Sequence, residues 1–184
     1  MLIETERTPN PQTLKFLPGR AVAAADVRDF ASPEAAEAVP LARALFSLGD
    51  VTGTYFGEDF VSVSIAAGVD WAEVKPDVLG LLVDHFASGA PLYPAGAAAE
   101  AETFDDPADA DIVAQIRELI DTRVRPAVAA DGGDIVYRGF QRGTVFLHMQ
   151  GSCAGCPSST ATLKGGIENL LRHYVPEVTE VRAI

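Results

Sequence analysis

One stretch sets the order of elements in the second half of the chain: DGGDIVYRGFQRGTVFLHMQGSCAGCPSSTATLKGGIENLLRHY, residues 131–174. Alternating apolar residues predict strands over residues 135–140 and 144–149, and Arg142-Gly143 between them predicts a tight turn. Apolar residues spaced three and four apart predict a helix over residues 157–174. The cysteines lie between the second strand and this helix.

The flanking segments complete this pattern. Apolar residues from Ile112 to Ile120 form a helical stripe, and we expect that helix to bend or end near Pro126. Pro176 ends the long helix, and residues 178–183 can form a last strand. The predicted order is α-β-β-loop-α-β.

The first half of the chain has strand patterns of its own. Residues 13–17 predict a short strand that ends at Pro18-Gly19. Residues 51–56 and 60–65 flank a Gly-Glu-Asp turn, which predicts a hairpin.

Helices are also predicted in this half. Ser32-Pro33 is typical of a helix start, and Pro40 separates a second short helix that runs through Ser47. Apolar residues from Trp71 to Phe86 form a longer helical stripe. Pro76 conflicts with a straight helix beginning at Trp71, so we expect a kink or a later start.

Between the halves lies ASGAPLYPAGAAAEAETFDDPAD, residues 87–109, which lacks sustained periodicity. Structureless loops of this length are uncommon within compact domains, so we interpret it as a flexible linker rather than a long surface loop. The sequence thus predicts two small domains of the α+β or α/β class. They are an N-terminal domain (residues 1–86) and a C-terminal domain (residues 110–184) on either side of the linker.

Charge is unevenly distributed along the chain. The net charge is -12. The net charge is -7 over residues 1–86, -5 over the linker and zero over residues 110–184. This balance argues against non-specific nucleic-acid binding, and it lets the neutral domain associate with a second copy without strong repulsion.

The sequence also bears on the compartment. No apolar run approaches the ~20 residues of a membrane span, and MLIETERTPNP resembles neither a signal peptide nor a transit peptide. Two closely spaced cysteines do not form the disulfide framework of a secreted domain. We therefore expect a protein of a reducing compartment that stays where it is made, or a mature form already trimmed.

Cys153 and Cys156 are the only cysteines of the chain and form one C-x-x-C. Pro157 suits the first helical position, which places Cys156 at the N-cap, where the helix dipole favours a thiolate. Gly151 and Gly155 let the backbone fold around the sulfurs.

Four interpretations of these residues remain open on this evidence. They are two small buried residues, a dithiol redox pair, part of a zinc site, or half of an iron–sulfur site. A thioredoxin-like fold needs more strands after the helix than the chain provides. A zinc site needs further ligands, and His148 alternates away from the apolar strand face. Iron–sulfur clusters usually take four thiolates, which a symmetric dimer of this chain supplies.

The chain resembles the Nfu-type iron–sulfur cluster carriers, with a NifU-like C-terminal domain, over almost its whole length. In the second half the resemblance rests on RVRPAVAADGGDI (residues 123–135), GSCAGCPSS (151–159), TLKGGIENLL (162–171) and HYVPEV (173–178). In the first half it rests on TPNPQTLKFLPG (8–19), FGEDFVSV (56–63) and WAEVKP (71–76).

The resemblance implies a carrier that receives a [4Fe–4S] cluster, or alternatively [2Fe–2S], from upstream assembly proteins and passes it to apo iron–sulfur enzymes. Cys153 and Cys156 match the family's ligands, one pair from each subunit of a homodimer bridged by the cluster. The alternative is a dithiol/disulfide redox protein that uses the same two residues. No nucleophile–base pair or phosphate loop indicates an enzyme. The bacterial cytoplasm is the expected location, or the mitochondrial matrix for a trimmed form.

Other motif residues have structural explanations. In Asp131-Gly132-Gly133-Asp134 we expect the glycines to supply positive φ and the aspartates to cap the turn. Ser158, Ser159 and Thr160 are expected to satisfy first-turn N–H groups. The Thr-Pro-Asn-Pro of residues 8–11 can be either a recognition loop or a rigid turn.

Overall fold

The computed structural model describes residues 1–24, 26–94, 103–155 and 157–184, without the side chains of residues 157–159. The chain divides into two compact units, Met1–Ala98 (the first unit) and Ala99–Ile184 (the second unit). Each unit has its own sheet and its own hydrophobic core. The mixed helix and sheet class predicted from the sequence is confirmed.

The first unit contains a five-stranded sheet in which all neighbours are antiparallel and the order is β1-β2-β5-β4-β3. Its strands are β1 (Glu4–Arg7), β2 (Thr13–Leu17), β3 (Arg28–Phe30), β4 (Val51–Phe56) and β5 (Val61–Ile65). The predicted strand over residues 13–17 and the predicted hairpin are present. Strands β1 and β3 were not predicted, because each is short and neither alternates between apolar and polar residues.

Three helices pack on one face of this sheet: α1 (Pro33–Ala36), α2 (Pro40–Phe46) and α3 (Trp71–Ser88). Ser32 caps α1, as predicted, by accepting the N–H of Ala35. Helix α3 starts at Trp71, so the later start that was one of the expectations is wrong. Pro76 removes only one helical hydrogen bond, and burial of Val78 and Leu82 against the sheet offsets that loss.

The second unit contains a four-stranded sheet of order β6-β7-β8-β9. Its strands are β6 (Phe104–Asp105), β7 (Gly133–Gln141), β8 (Thr144–Gly151) and β9 (Glu180–Ala183). Strands β7 and β8 form an antiparallel hairpin, and the outer strands run parallel to their neighbours. At the predicted tight turn, Arg142 and Gly143 have φ of 51° and 81°, as a two-residue type I′ turn requires.

The helices of the second unit follow the predicted order. They are α4 (Ala110–Leu119), α5 (Arg125–Ala130) and α6 (Pro157–Tyr174), with a short 3₁₀ turn at Pro107–Asp109. A π-helical segment, Ile120–Val124, joins α4 to α5. This segment lies just before Pro126, where the sequence predicted a bend or an end of the helix. In a regular α-helix the Pro126 ring would clash with the carbonyl four residues earlier, and the wider π-helical turn relieves that clash.

The predicted linker of residues 87–109 has regular structure at both ends, whereas residues 95–102 lie outside the described part. Helix α3 continues to Ser88, and Phe104 and Asp105 form strand β6 beside β7. The Phe104 ring lies over Gly139, where a methyl group would come within 2.6 Å of it. The domain boundaries given above stay a prediction.

None of the helices in the described ranges combines the length and the apolar character needed to cross a membrane.

Candidate functional site

The cysteine loop, residues 152–156, joins the end of β8 to the start of α6. Strand β8 ends at Gly151 and helix α6 begins at Pro157, so the predicted strand–loop–helix arrangement is present. Gly151 and Gly155 have left-handed backbones, with φ of 62° and 77°. Cys153 is described in full, whereas Cys156 lies outside the described residues.

Hydrogen bonds hold the cysteine loop against the turn that precedes β7. The Ser152 hydroxyl donates to the Asp131 carbonyl, and the Ser152 N–H donates to the Gly132 carbonyl at 3.2 Å. The Asp-Gly-Gly-Asp motif therefore lies beside Ser152 and Cys153, although some twenty residues separate them in the chain.

The two glycines of this motif serve different purposes. Gly132 has a φ of 81°, as expected for the turn. Gly133 does not have a positive φ, so the expectation is wrong for this residue. A Cβ there would lie 2.5 Å from the Cys153 Sγ and 2.8 Å from the Gln150 carbonyl oxygen. Gly133 is needed because the cysteine packs directly on its backbone.

Asp134 anchors the same region through an ion pair. Both of its carboxylate oxygens accept hydrogen bonds from Arg125, at 2.9 and 2.8 Å, and the Ile135 N–H also donates to it at 2.8 Å. Asp134 is buried, and its hydrogen bonds raise the pKa of Arg125. The aspartate thus joins α5 to the start of β7 instead of only capping the turn, a role that sequence reasoning missed.

The Cys153 side chain points into the core of the second unit. Only 6% of the residue is exposed, and it packs with the buried residues of β7, β8 and α6. Burial raises the pKa of its thiol to about 11. A hydrogen bond between the Cys153 and Ser152 side chains lowers this pKa by less, and the charges of Asp131 and Asp134 raise it further. In this conformation Cys153 is a protonated thiol at neutral pH. The expected effect of the helix dipole concerns Cys156, outside the described part.

The first turn of α6 is also tied to the loop. The Thr160 hydroxyl donates to the Cys153 carbonyl at 3.0 Å. This hydrogen bond runs back to the loop, and the expectation that Thr160 satisfies first-turn N–H groups stays a prediction. The side chains of Ser158 and Ser159 are outside the described part.

The histidines of the second unit do not join Cys153. Nδ1 of His148 lies 2.9 Å from the Ile184 carbonyl oxygen, on the sheet face away from the core, as its place in the strand predicted. The His173 ring packs edge-on against Tyr174. Within the described ranges, no group of three or more His, Cys, Asp or Glu side chains is placed to hold a metal ion.

Two family models match the chain. The model described as "Scaffold protein Nfu/NifU N terminal" matches residues 3–89, and the "NifU-like domain" model matches residues 116–182. These are the two halves on which the sequence resemblance rests.

Relatives match over the whole chain. The human protein named "NFU1 iron-sulfur cluster scaffold homolog, mitochondrial" is 47% identical over 189 residues, which covers 100% of this chain and 72% of that protein. The protein of the same name from Drosophila erecta is 47% identical over 186 residues, and the chain spans 65% of its length.

A solution structure of a NifU-like protein from Saccharomyces cerevisiae is 24% identical in sequence to this chain, with a TM-score of 0.46. The match covers 52% of this chain and 86% of the yeast protein's chain. Its similarity is too low to add to the assignment. The two matched regions and the 47% identity to the human protein confirm the resemblance on their own. The chain belongs to the Nfu family of iron–sulfur cluster scaffold proteins.

Proposed function

We propose that this chain binds an iron–sulfur cluster through Cys153 and Cys156 of two subunits and transfers it to apo-proteins. The cluster is the cargo, a [4Fe–4S] cluster, with [2Fe–2S] as the alternative. The observation that carries the proposal is the position of the chain's only cysteine pair, at a strand–loop–helix junction in a member of a scaffold family. Upstream assembly proteins are the proposed donors, and apo iron–sulfur enzymes are the proposed acceptors.

Two subunits are required because each contributes only two thiolates, and clusters usually take four. A two-fold axis close to the cysteine loop brings two identical pairs together. Residues 110–184 have no net charge, so electrostatic repulsion between two copies is weak. A cluster at such an interface is released when the subunits separate, which suits a carrier.

Cluster binding requires the cysteine loop to change conformation. Thiolates are the ligands of iron, whereas Cys153 is a buried thiol in the isolated subunit. Its sulfur must turn out of the core and lose its proton. Gly151 and Gly155 flank the cysteine with left-handed backbones, and these are suitable hinge positions. The iron–sulfur bonds of the holo-protein offset the cost of removing Cys153 from the core.

The alternative function is a dithiol/disulfide redox protein. Burial and a raised pKa make Cys153 a poor attacking group, because the thiolate is the nucleophile in exchange reactions. The observation weakens this alternative, and we favour the carrier, a non-catalytic role in line with the scaffold family. Either function belongs to a reducing compartment, the bacterial cytoplasm or the mitochondrial matrix.

Anaerobic reconstitution with iron and sulfide tests the proposal. The wild-type chain should turn brown, and Cys153→Ser or Cys156→Ser should fail to hold iron. Ala154→Ser is a matched control, because it adds a hydroxyl to the same loop without removing a thiol or the backbone hydrogen bond of residue 154. A Cys153→Ser protein that retains the full iron content would rule out Cys153 as a ligand. Reversible disulfide formation with exchange activity, and no stable iron binding, would support the alternative.

A further inference from the structure

The first unit contains a cavity that the cluster chemistry does not use. Its volume is about 550 Å³, within the usual ~300–1,000 Å³ of ligand sites. It lies between strand β1, the Thr-Pro-Asn-Pro loop of residues 8–11 and the first turns of helix α3. The residues that matter here are Arg7, Thr8, Asn10, Trp71 and Lys75.

The loop that forms one wall is internally braced. The Thr8 hydroxyl donates to the Asn10 carbonyl at 2.8 Å or to the Thr13 carbonyl at 2.9 Å, and accepts the Asn10 N–H at 3.2 Å. The Asn10 side chain accepts the Gln12 N–H at 3.0 Å. The sequence left a rigid turn and a recognition loop as alternatives. The structure has a rigid turn that also forms one wall of a cavity, and a preformed wall reduces the entropy lost on binding.

Positive charge is concentrated at this cavity. Arg7 and Lys75 both line it, and neither forms an ion pair within the described residues. Glu6, the only acidic residue in the lining, lies 3.6 Å from Lys15. Residues 1–86 have a net charge of -7, so two unpaired cations in one cavity stand out against an acidic surface. The cavity therefore favours a negatively charged partner group.

The remaining walls suit an extended peptide. Strand β1 is at the edge of the sheet, and an edge strand offers unpaired N–H and C=O groups to an added strand. The Trp71 ring packs against Phe16 and gives the cavity an aromatic wall. Trp71 is partly exposed, so an apolar side chain of a bound peptide can contact it.

We propose that this cavity binds an extended acidic segment of a partner protein. The main chain of the segment pairs with the outer edge of β1, one of its carboxylates lies between Arg7 and Lys75, and an apolar side chain contacts Trp71. This binding site lies in the first unit, whereas the cysteine loop belongs to the second unit, and the proposal does not depend on the cluster function.

Trp71 is the only tryptophan of the chain, so its fluorescence reports directly on the cavity. The full-length apo-protein is titrated with an acetylated and amidated six-residue peptide of alternating glutamate and valine. A peptide with glutamine in place of glutamate is the reference. We expect a saturable change in Trp71 emission with the acidic peptide and at least about tenfold weaker binding of the glutamine peptide.

Variants test the named contacts. Arg7→Gln and Lys75→Gln should each weaken binding of the acidic peptide by about two- to fivefold, as expected for the loss of one solvent-exposed ion pair. Lys75→Arg should retain binding. Arg43→Gln is the matched control, because Arg43 is exposed on α2 and does not line the cavity. Thermal unfolding of each variant establishes that it folds.

Three outcomes overturn the proposal. They are no saturable change at millimolar acidic peptide, equal binding of the glutamine peptide, and equal weakening by Arg43→Gln. Unchanged binding of an acidic peptide with N-methylated alternate amides refutes the pairing with β1. None of these results bears on cluster binding, which is measured separately.

Discussion

Replacing Gly133 with alanine places a methyl group where the structure has no room for one. The new Cβ would lie 2.5 Å from the Cys153 Sγ, 2.8 Å from the Gln150 carbonyl oxygen and 3.1 Å from the Cys153 nitrogen. The sulfur can move away by rotation of its side chain, but the two backbone atoms belong to the β8 end and the cysteine loop. The substitution must therefore shift the loop away from β7.

The cost of such overpacking is about 1–3 kcal/mol, and contact with backbone puts Gly133→Ala near the upper end of that range. With a urea m-value of roughly 1 kcal/mol per molar, the unfolding midpoint of the second unit should fall by about 2–3 M. The displaced loop should also expose Cys153, so its native-state reaction with a thiol reagent should become faster.

Urea unfolding followed by circular dichroism reports both units, because each contains helices and strands. Trp71 fluorescence reports the first unit alone, so a change in the dichroism transition without a change in Trp71 emission belongs to the second unit. Gly166→Ala is the matched substitution, because a Cβ there meets nothing within 4 Å in helix α6. It should stabilise the protein by about 0.5–1 kcal/mol. A Gly133→Ala protein with wild-type stability and wild-type thiol reactivity would refute the close packing of Cys153 on β7.

Three further predictions concern the same unit. Asp134→Asn removes the bidentate partner of Arg125 and should lower the free energy of unfolding by about 2–4 kcal/mol in urea. Asp121→Asn is the control, because the exposed Asp121 carboxylate lies 3.4 Å from Arg125; its loss should cost under about 1 kcal/mol. Burial raises the pKa of Cys153 from 9.0 to about 11 in the folded protein, so the stability that the buried thiol contributes is fully present below pH 9. The free energy of unfolding should fall by about 2–3 kcal/mol as the pH rises from 9 to 11. Cys153→Ser should flatten this part of the pH profile, and an unchanged profile would contradict the burial of the thiol. A fragment of residues 103–184 should be more stable than a fragment of residues 110–184 by about 2 kcal/mol. The shorter fragment lacks the Asp105 carboxylate, which accepts a hydrogen bond from the Tyr137 hydroxyl and forms an ion pair with Arg117. Equal melting temperatures of the two fragments would show that β6 contributes nothing to stability.

Much of the second unit could be predicted from the sequence, because its signals are local. The alternation in β7 and β8, the Arg-Gly turn and the apolar face of α6 each depend on residues close together in the chain. The same holds for the position of the C-x-x-C, since Pro157 indicates the helix start. The family resemblance added the ligand hypothesis that spacing alone left open.

The features that were missed depend on contacts between distant residues. Strand β6 is two residues long and exists because Phe104 and Asp105 pair with β7 across more than thirty residues. The Asp134–Arg125 ion pair and the packing of Cys153 on Gly133 have no periodic signal. Helix α3 starts before Pro76 because tertiary burial outweighs the loss of one hydrogen bond.

We propose that two subunits share one cluster through their C-x-x-C pairs. Native mass spectrometry of the anaerobically reconstituted full-length protein tests it most directly, because protein, iron and sulfide are counted in one species. We predict two chains with four irons and four sulfides, and only iron-free chains for Cys153→Ser. A cluster-loaded single chain with no added thiols, or a loaded dimer of the Cys153→Ser protein, would contradict the claim.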